Sequence, residues 1–227
     1  MSNVITIDGP TSSGKSSVGF LFSQNIGYQF IDTGRIYRAG ALYILKNKIP
    51  IEDQEKVAQV FENLNVEFKS IEGKVKLFLE GEDVTAKIHS PEVTYIVPKI
   101  AANAKARHFA KQLQKKIGSE KNTVMAGRDI GSEIFPDAKL KFFITADVEV
   151  RAQRRYDQIK KTDPGVSFEE VLKSMQKRDH DDASREASPM RVPEEAIIID
   201  TTNLTTEETV HSMMIEYHRV FGDTLSS

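Results

Sequence analysis

Cysteine is absent from the 227 residues, which removes disulfides, thiolate catalysis and cysteine-ligated zinc or iron–sulfur sites. No apolar run approaches the ~18 residues that a membrane-spanning helix needs. The opening Met-Ser-Asn-Val-Ile-Thr-Ile-Asp-Gly has neither the basic stretch nor the long apolar run of a secretory signal. A cytoplasmic protein with no membrane partner is therefore expected. An excess of charge of one sign is missing too: 31 Lys+Arg stand against 33 Asp+Glu, a formal net charge of −2. That balance argues against a protein devoted to binding nucleic acid. The 5 histidines show no metal-ligand spacing, and there is no repeat period or low-complexity tract. What remains is an ordinary globular composition, 39% hydrophobic and 28% charged, with enough apolar surface for a substantial core.

The periodicity alternates between short apolar runs and amphipathic stretches. Strands are expected at 4–8, 28–31, 123–126, 140–145 and 196–199, with helices at 15–25, 33–48 and 205–221. Strands separated by helices imply right-handed crossovers, so an α/β fold is expected, a five-stranded parallel sheet flanked by helices. Two segments depart from this rhythm. In 65–84, Val66, Phe68, Val75, Leu77 and Leu79 alternate with polar residues around Glu72-Gly73, the pattern of a small antiparallel insert. In 151–191, Arg151, Arg154, Arg155, Arg178, Arg185 and Arg191 are interspersed with carboxylates such as Asp179, Asp181, Asp182 and Glu186. Taken alone, that segment reads as a solvated helical pair laced by i,i+4 ion pairs.

The strongest local signal is Gly9-Pro10-Thr11-Ser12-Ser13-Gly14-Lys15-Ser16, followed by Ser17. It fits the phosphate-binding pattern G-x-x-x-x-G-K-[ST] and sits between an expected strand and an expected helix, where that motif belongs. Glycines let successive N–H groups turn inward around an anion, and the helix adds the positive end of its dipole. Lys15 supplies a charge for the β- and γ-phosphates, and the Ser16 hydroxyl is placed to ligate Mg²⁺. A nucleoside triphosphate, ATP in a kinase, is the implied ligand.

The loop does not by itself separate a GTPase, a motor and a small-molecule kinase, but no Asn-Lys-x-Asp guanine signature is present. A small kinase must bring two polyanions together in line, so it needs a cationic clamp for its acceptor and a cover that excludes water. Arginines stand where such a clamp would be. They occur in Asp32-Thr33-Gly34-Arg35-Ile36-Tyr37-Arg38, in Gly127-Arg128-Asp129-Ile130-Gly131, and in Arg178-Asp179-x-x-Asp182-x-x-Arg185. If helical, the last run puts Arg178, Asp182 and Arg185 on one face. Arg107 lies in a polar stretch with His108, Lys111, Lys115 and Lys116, which on its own reads as a solvated helix face.

Across nearly its whole length the chain resembles the bacterial-type cytidylate (CMP) kinases. The landmarks are Ile7-Asp8-Gly9-Pro10 with Gly14-Lys15, Asp32-Thr33-Gly34 with Tyr37-Arg38, and Leu79-Glu80-Gly81-Glu82-Asp83-Val84. Further landmarks are Gly127-Arg128-Asp129-Ile130-Gly131 with Phe135-Pro136-Asp137-Ala138, Arg151-Ala152-x-Arg154-Arg155, and the Arg178–Arg185 run. The resemblance implies a P-loop nucleoside-monophosphate-kinase fold. Its core would be 1–38, 107–150 and 192–227, its CMP-binding region 39–106 with the insert at 65–84, and its helical lid 151–191. It implies phosphorylation of CMP and dCMP by ATP with Mg²⁺, in a monomer. Another nucleoside monophosphate kinase (for UMP, AMP or dTMP) is the nearest alternative, and a non-catalytic nucleotide- or RNA-binding P-loop protein a remoter one.

Carried over by position, the resemblance implies that Thr33, Arg107, Arg128 and Asp129 surround the cytosine. Arg38, Arg128 and Arg185 would hold the CMP phosphate, and Asp182 with Arg178 would take the ribose. Lys15, with Arg154 or Arg155, would neutralise the transferred phosphoryl group, so Lys15, Arg128 and Arg185 are the catalytic candidates. Three positions depart from the family pattern. Ala126 replaces an acid that often precedes Gly-Arg-Asp, which leaves Mg²⁺ to Ser16, the phosphates and Asp8. Pro98 replaces a serine expected near the acceptor, which implies a weaker grip on CMP. Glu133 replaces a threonine or valine, for no reason visible in the residues themselves.

Overall fold

The structure, a computed structural model, describes residues 2–161, 163–185 and 188–222. Five strands, β1 (Val4–Asp8), β2 (Gln29–Asp32), β6 (Thr123–Ala126), β7 (Leu140–Thr145) and β8 (Ile197–Asp200), form one parallel sheet in the order β2-β6-β1-β7-β8. Each strand is a short apolar run, as expected of strands covered on both faces. Successive side chains go to opposite layers. Val124 and Phe30 pack with α1 (Lys15–Asn25) and α8 (Thr206–Phe221). Their neighbours Met125 and Ile31 pack with α2 (Gly34–Lys46), α3 (Gln54–Glu62) and α5 (Ala104–Glu120). On the first face Phe22 meets Phe142 and Tyr217 edge-on, with ring centroids 5.8 and 6.0 Å apart.

Local sequence sets most helix starts. Asp53, Ser90 and Asn103 accept from the first-turn amides of α3, α4 (Pro91–Ala102) and α5. Ser167–Glu170 and Thr205–Glu208 form reciprocal capping boxes at α7 (Phe168–Ser184) and α8. The insert is the expected antiparallel meander, β3 (Val66–Ile71), β4 (Lys74–Leu79) and β5 (Glu82–Asp83). Its turns are Glu72-Gly73 (φ 51 and 69) and Glu80-Gly81 (φ 50 and 80), the left-handed pairs that tight hairpins require. Its apolar face, Val66, Phe68, Leu77 and Leu79, is buried in the core.

The reading of 151–191 as a solvated pair is corrected. Helices α6 (Val148–Ile159) and α7 do pair, around Ala152, Val171 and Met175. Among the described residues of this segment, however, only Lys177–Asp181, at 3.9 Å, is an i,i+4 ion pair. Arg151 pairs across the two helices with Asp179 at 2.7 Å and reaches out to the Thr11 carbonyl at 3.3 Å, and Arg154 reaches out to the Thr201 carbonyl at 2.6 Å. Helix α7 also stops at Ser184, so Arg185 leaves on extended backbone rather than continuing the helical face. Glu186 lies outside the described residues. Among them, no helix is long and apolar enough to cross a membrane.

The sheet order reverses at β1, so the loops after β1, β2, β6 and β7 open at one carboxyl edge. Ligands of open α/β sheets bind in such a crevice. Helix α2, which contributes to its far wall, is close-packed against α3: a Cβ on Gly40 of α2 would run into the ring of Phe61 in α3. Gly40→Ala is expected to lower the unfolding free energy by about 1–3 kcal/mol. In a urea-denaturation double-mutant cycle with Phe61→Leu, the combined loss should be less than the sum of the two single losses.

Candidate active site

The loop after β1 passes so close to β7 that a Cβ on Gly9 would strike the Ile144 carbonyl, and Gly9 itself has φ 142. Only glycine fits there. Three of the loop's carbonyls are already hydrogen-bonded. Pro10 O accepts from Lys15 Nζ and, at 3.0 Å, from Ser13 Oγ. Thr11 O accepts from Arg151 at 3.3 Å, and Ser13 O from Thr201 Oγ1 at 3.1 Å. An anion cradle needs backbone N–H groups as its donors, and carbonyls engaged in this way are compatible with one. Residues Thr11 to Val18 line a cavity of about 610 Å³, while Gly9 and Pro10 lie behind it. Burial, then the nearby charge of Arg128, holds the Lys15 ammonium well below its usual pKa, so a neighbouring anion would be strongly welcomed.

The opposite end of the same cavity is built by the loops after β2 and β6 together with α5 and the end of α7. Arg107 is buried, not solvated, and its Nη2 donates to Asp129 Oδ2 at 2.7 Å. Its guanidinium also stands 5.8 Å from the centre of the Tyr37 ring. Thr33 Oγ1 donates to the Ala126 carbonyl at 3.0 Å. Asp182 bridges two arginines, accepting from Arg128 Nε at 3.0 Å and Arg185 Nη1 at 3.3 Å. Arg185 Nη2 comes within 4.0 Å of Asp129. Among the described residues, Arg107 Nε and Arg185 Nη2 are buried donors without a hydrogen-bond partner. Arg38 is tied to the Ile88 carbonyl at 3.1 Å and to Thr94 Oγ1 at 3.0 Å.

Positive charge dominates this space. Burial, then proximity to Arg128, lowers the Arg178 pKa to about 10. Burial also lowers Arg185, with Arg107 the next cause, and Arg38, with Arg155 the next cause. Lysine and arginine side chains far outnumber the aspartates Asp32, Asp129 and Asp182 on the wall. A cavity of this kind is an anion site, and its two ends have room for two anions.

The structure brings Lys15, Ser16, Ser17, Thr33, Arg38, Arg107, Arg128, Asp129, Arg154, Arg155, Arg178, Asp182 and Arg185 to this one cavity. Pro98 lies exposed on α4, whereas Val97 and Ala101 from that helix line the wall. Glu133 pairs with Lys111 at 2.9 Å, which explains an acid at that position. Residues that sequence reasoning missed are Tyr37, Thr201, Asp32 and the anchoring role of Arg151. Tyr37 and Asp32 stood inside a quoted motif. Arg151 also stood inside a quoted motif, but nothing there pointed to its contact with the Thr11 carbonyl.

Asp8 is not among the residues that line the cavity. Its buried carboxylate accepts from the backbone N–H groups of Ile130 (2.8 Å) and Gly131 (2.7 Å), fixing the turn that carries Arg128 and Asp129. Mg²⁺ favours hard oxygen donors and keeps part of its water shell. The Ser16 hydroxyl, which donates to Asp32 Oδ2 at 2.7 Å on the cavity wall, suits it. Among the described residues, no cluster of three or more acidic or histidine side chains could hold a metal unaided. A cation at this place therefore depends on phosphate oxygens as well.

Burial raises the Asp8 pKa from 3.8 to about 6 despite the two amides. Between those values the folded chain binds a proton that the unfolded chain does not, so stability falls as pH rises through that window. Asp8→Asn removes the titration. From pH 4 to 7, urea denaturation should show the unfolding free energy shifting toward the variant, relative to wild type, by about 2–3 kcal/mol.

Comparison with known proteins agrees with this geometry. Residues 5–219 match the family model described as cytidylate kinase. The chain is 38% identical over 216 residues to the cytidylate kinase of Caldicellulosiruptor bescii, covering 95% of this chain and 96% of that one. It is 43% identical over 206 residues to the cytidylate kinase of Caldanaerobacter subterraneus subsp. tengcongensis, covering 91% and 90%. A solved structure of an uncharacterized protein from Eubacterium ventriosum shares the fold, with a TM-score of 0.50 at 16% identity over 95% of this chain and 97% of that one. A family match this long, joined by relatives aligned nearly end to end, means that the chain belongs to the cytidylate kinase family.

Proposed function

We infer that the protein transfers the γ-phosphoryl group of ATP to CMP and dCMP, giving ADP and CDP or dCDP. The observation that carries this reading is the shared cavity, with the phosphate loop at one end and the buried Arg107–Asp129 pair at the other. Arginines line the space between them.

ATP occupies the Gly9–Ser17 loop. The loop's N–H groups and Lys15 receive its β- and γ-phosphates, and Arg154 and Arg155 stand on the same side. Mg²⁺ would be held by Ser16 and the phosphates, where it offsets charge on the transferred group. The cytosine lies against Thr33, Arg107, Arg128 and Asp129. Arg107 donates to the ring carbonyl and ring nitrogen, and Asp129 accepts from the exocyclic amine. Arg38, Arg128 and Arg185 grip the CMP phosphate, a role that suits their planar forks, and Arg178 with Asp182 takes the sugar.

A CMP phosphate oxygen attacks the γ-phosphorus. That P–O bond forms as the bond to the β,γ-bridging oxygen breaks, and ADP departs with the bonding pair. The nucleophile is already anionic, so no general base is required, and rate acceleration comes from alignment and charge stabilisation. Arg185 and Asp182 from the end of α7 touch Arg128 and Asp129, so the 151–191 lid and the acceptor end order together. Water is excluded only when the acceptor is bound, which keeps ATP hydrolysis slow without it.

Steady-state kinetics with CMP, dCMP, UMP and AMP at saturating MgATP test this reading, with CMP and dCMP expected to be the best acceptors. AMP turnover equal to or faster than CMP turnover would refute it. Lys15→Ala should lower kcat by about 10²–10³-fold with an unchanged circular-dichroism spectrum. Asp129→Asn should raise KM for CMP far more than KM for ATP.

A further inference from the structure

Ala126, at the end of β6, stands where an acid often precedes Gly-Arg-Asp in the resembled pattern, and the chain has an acid one strand away. In the parallel register of β2 with β6, Asp32 is the direct partner of Ala126. Both residues line the cavity. Asp32 lies among cations, close enough for its charge to act on Lys15 and Arg38. Its Oδ1 accepts from the Gly34 amide at 3.0 Å, and its Oδ2 accepts from Ser16 Oγ at 2.7 Å.

That second bond orients the Ser16 hydroxyl. With its proton donated to Asp32, its lone pairs are left for another partner. A carboxylate on the wall of a triphosphate cradle would repel the incoming phosphates unless a cation lay between them. A hydroxyl oxygen and a carboxylate side by side are a donor set suited to Mg²⁺. We propose that Asp32, with Ser16, forms the protein's half of the Mg²⁺ site for MgATP. The proposal rests on the kinase reading only in taking a nucleotide as the phosphate ligand.

The test uses Mn²⁺ as probe, titrated into the full chain saturated with ADP and followed by the electron paramagnetic resonance of free Mn²⁺. Asp32→Asn should weaken Mn²⁺ binding by about tenfold or more, while ADP binding without metal stays the same or tightens, because a negative charge has been removed. Asp32→Asn/Ala126→Asp should recover most of the lost Mn²⁺ affinity. Ala126→Asp alone should tighten Mn²⁺ binding, and it keeps the test decisive should Asp32→Asn fold poorly. Mn²⁺ affinity within about twofold of wild type in Asp32→Asn, or in Ala126→Asp, overturns the assignment. So does an equal loss of metal-free ADP binding in Asp32→Asn, the result expected if Asp32 only braces Ser16 and Gly34. Failure of the wild type to phosphorylate CMP would count against the kinase reading, whereas these titrations count for or against Asp32.

Discussion

Mutual repulsion among buried cations is the constraint around which this molecule is organised. Lys15, Arg38, Arg178 and Arg185 all have their charged forms disfavoured by burial, and for each of the four a nearby arginine is the next cause. The fold holds these groups together because a few aspartates are placed between them. Asp182 spans Arg128 and Arg185, and Asp129 is paired with Arg107. Two phosphate-bearing ligands would complete the neutralisation. The free energy withheld in the unliganded cavity then becomes binding and transition-state stabilisation.

Such crowding is possible only on a rigid frame. The parallel sheet supplies it, with the carboxyl ends of adjacent strands in fixed register. Asp8 shows how closely frame and site are joined. It ends the central strand, yet its carboxylate is spent on the backbone of Ile130 and Gly131, so β1 holds the turn after β6 in place. The phosphate loop is braced in the same way, two of its carbonyls held by Arg151 and Thr201. Arg151 reaches on to Asp179 of α7, so a single side chain joins the loop to that helix.

The second arginine-rich segment illustrates why charge runs mislead. By composition, 151–191 is a solvated helical pair. In space, Arg151, Arg154 and Arg185 turn toward the phosphate loop, the β8 end and Asp129, and a small apolar cluster joins the two helices. Helix α7 also ends one residue before Arg185, and that break lets the Arg185 guanidinium reach both Asp182 and the vicinity of Asp129.

Local pattern alone determined the strand–helix alternation, the phosphate loop, the antiparallel insert and the arginine-bearing loops. Each depends on short-range physics: period, turn chemistry, and the conformations open to glycine. The Glu72-Gly73 turn was legible for that reason. Tertiary structure decided what depends on distance between strands and helices. Arg107 sits on a helix that looks solvated, and only the approach of α5 to the turn after β6 buries it against Asp129. Asp8 looked free to meet a metal, and only the parallel pairing of β1 with β6 brings two amides onto it. Asp32 and Ala126 are far apart in sequence, and the register of β2 with β6 makes them neighbours. No periodicity encodes such pairings, because they arise from how separate elements stack, so the sequence could name the cationic groups but not their partners.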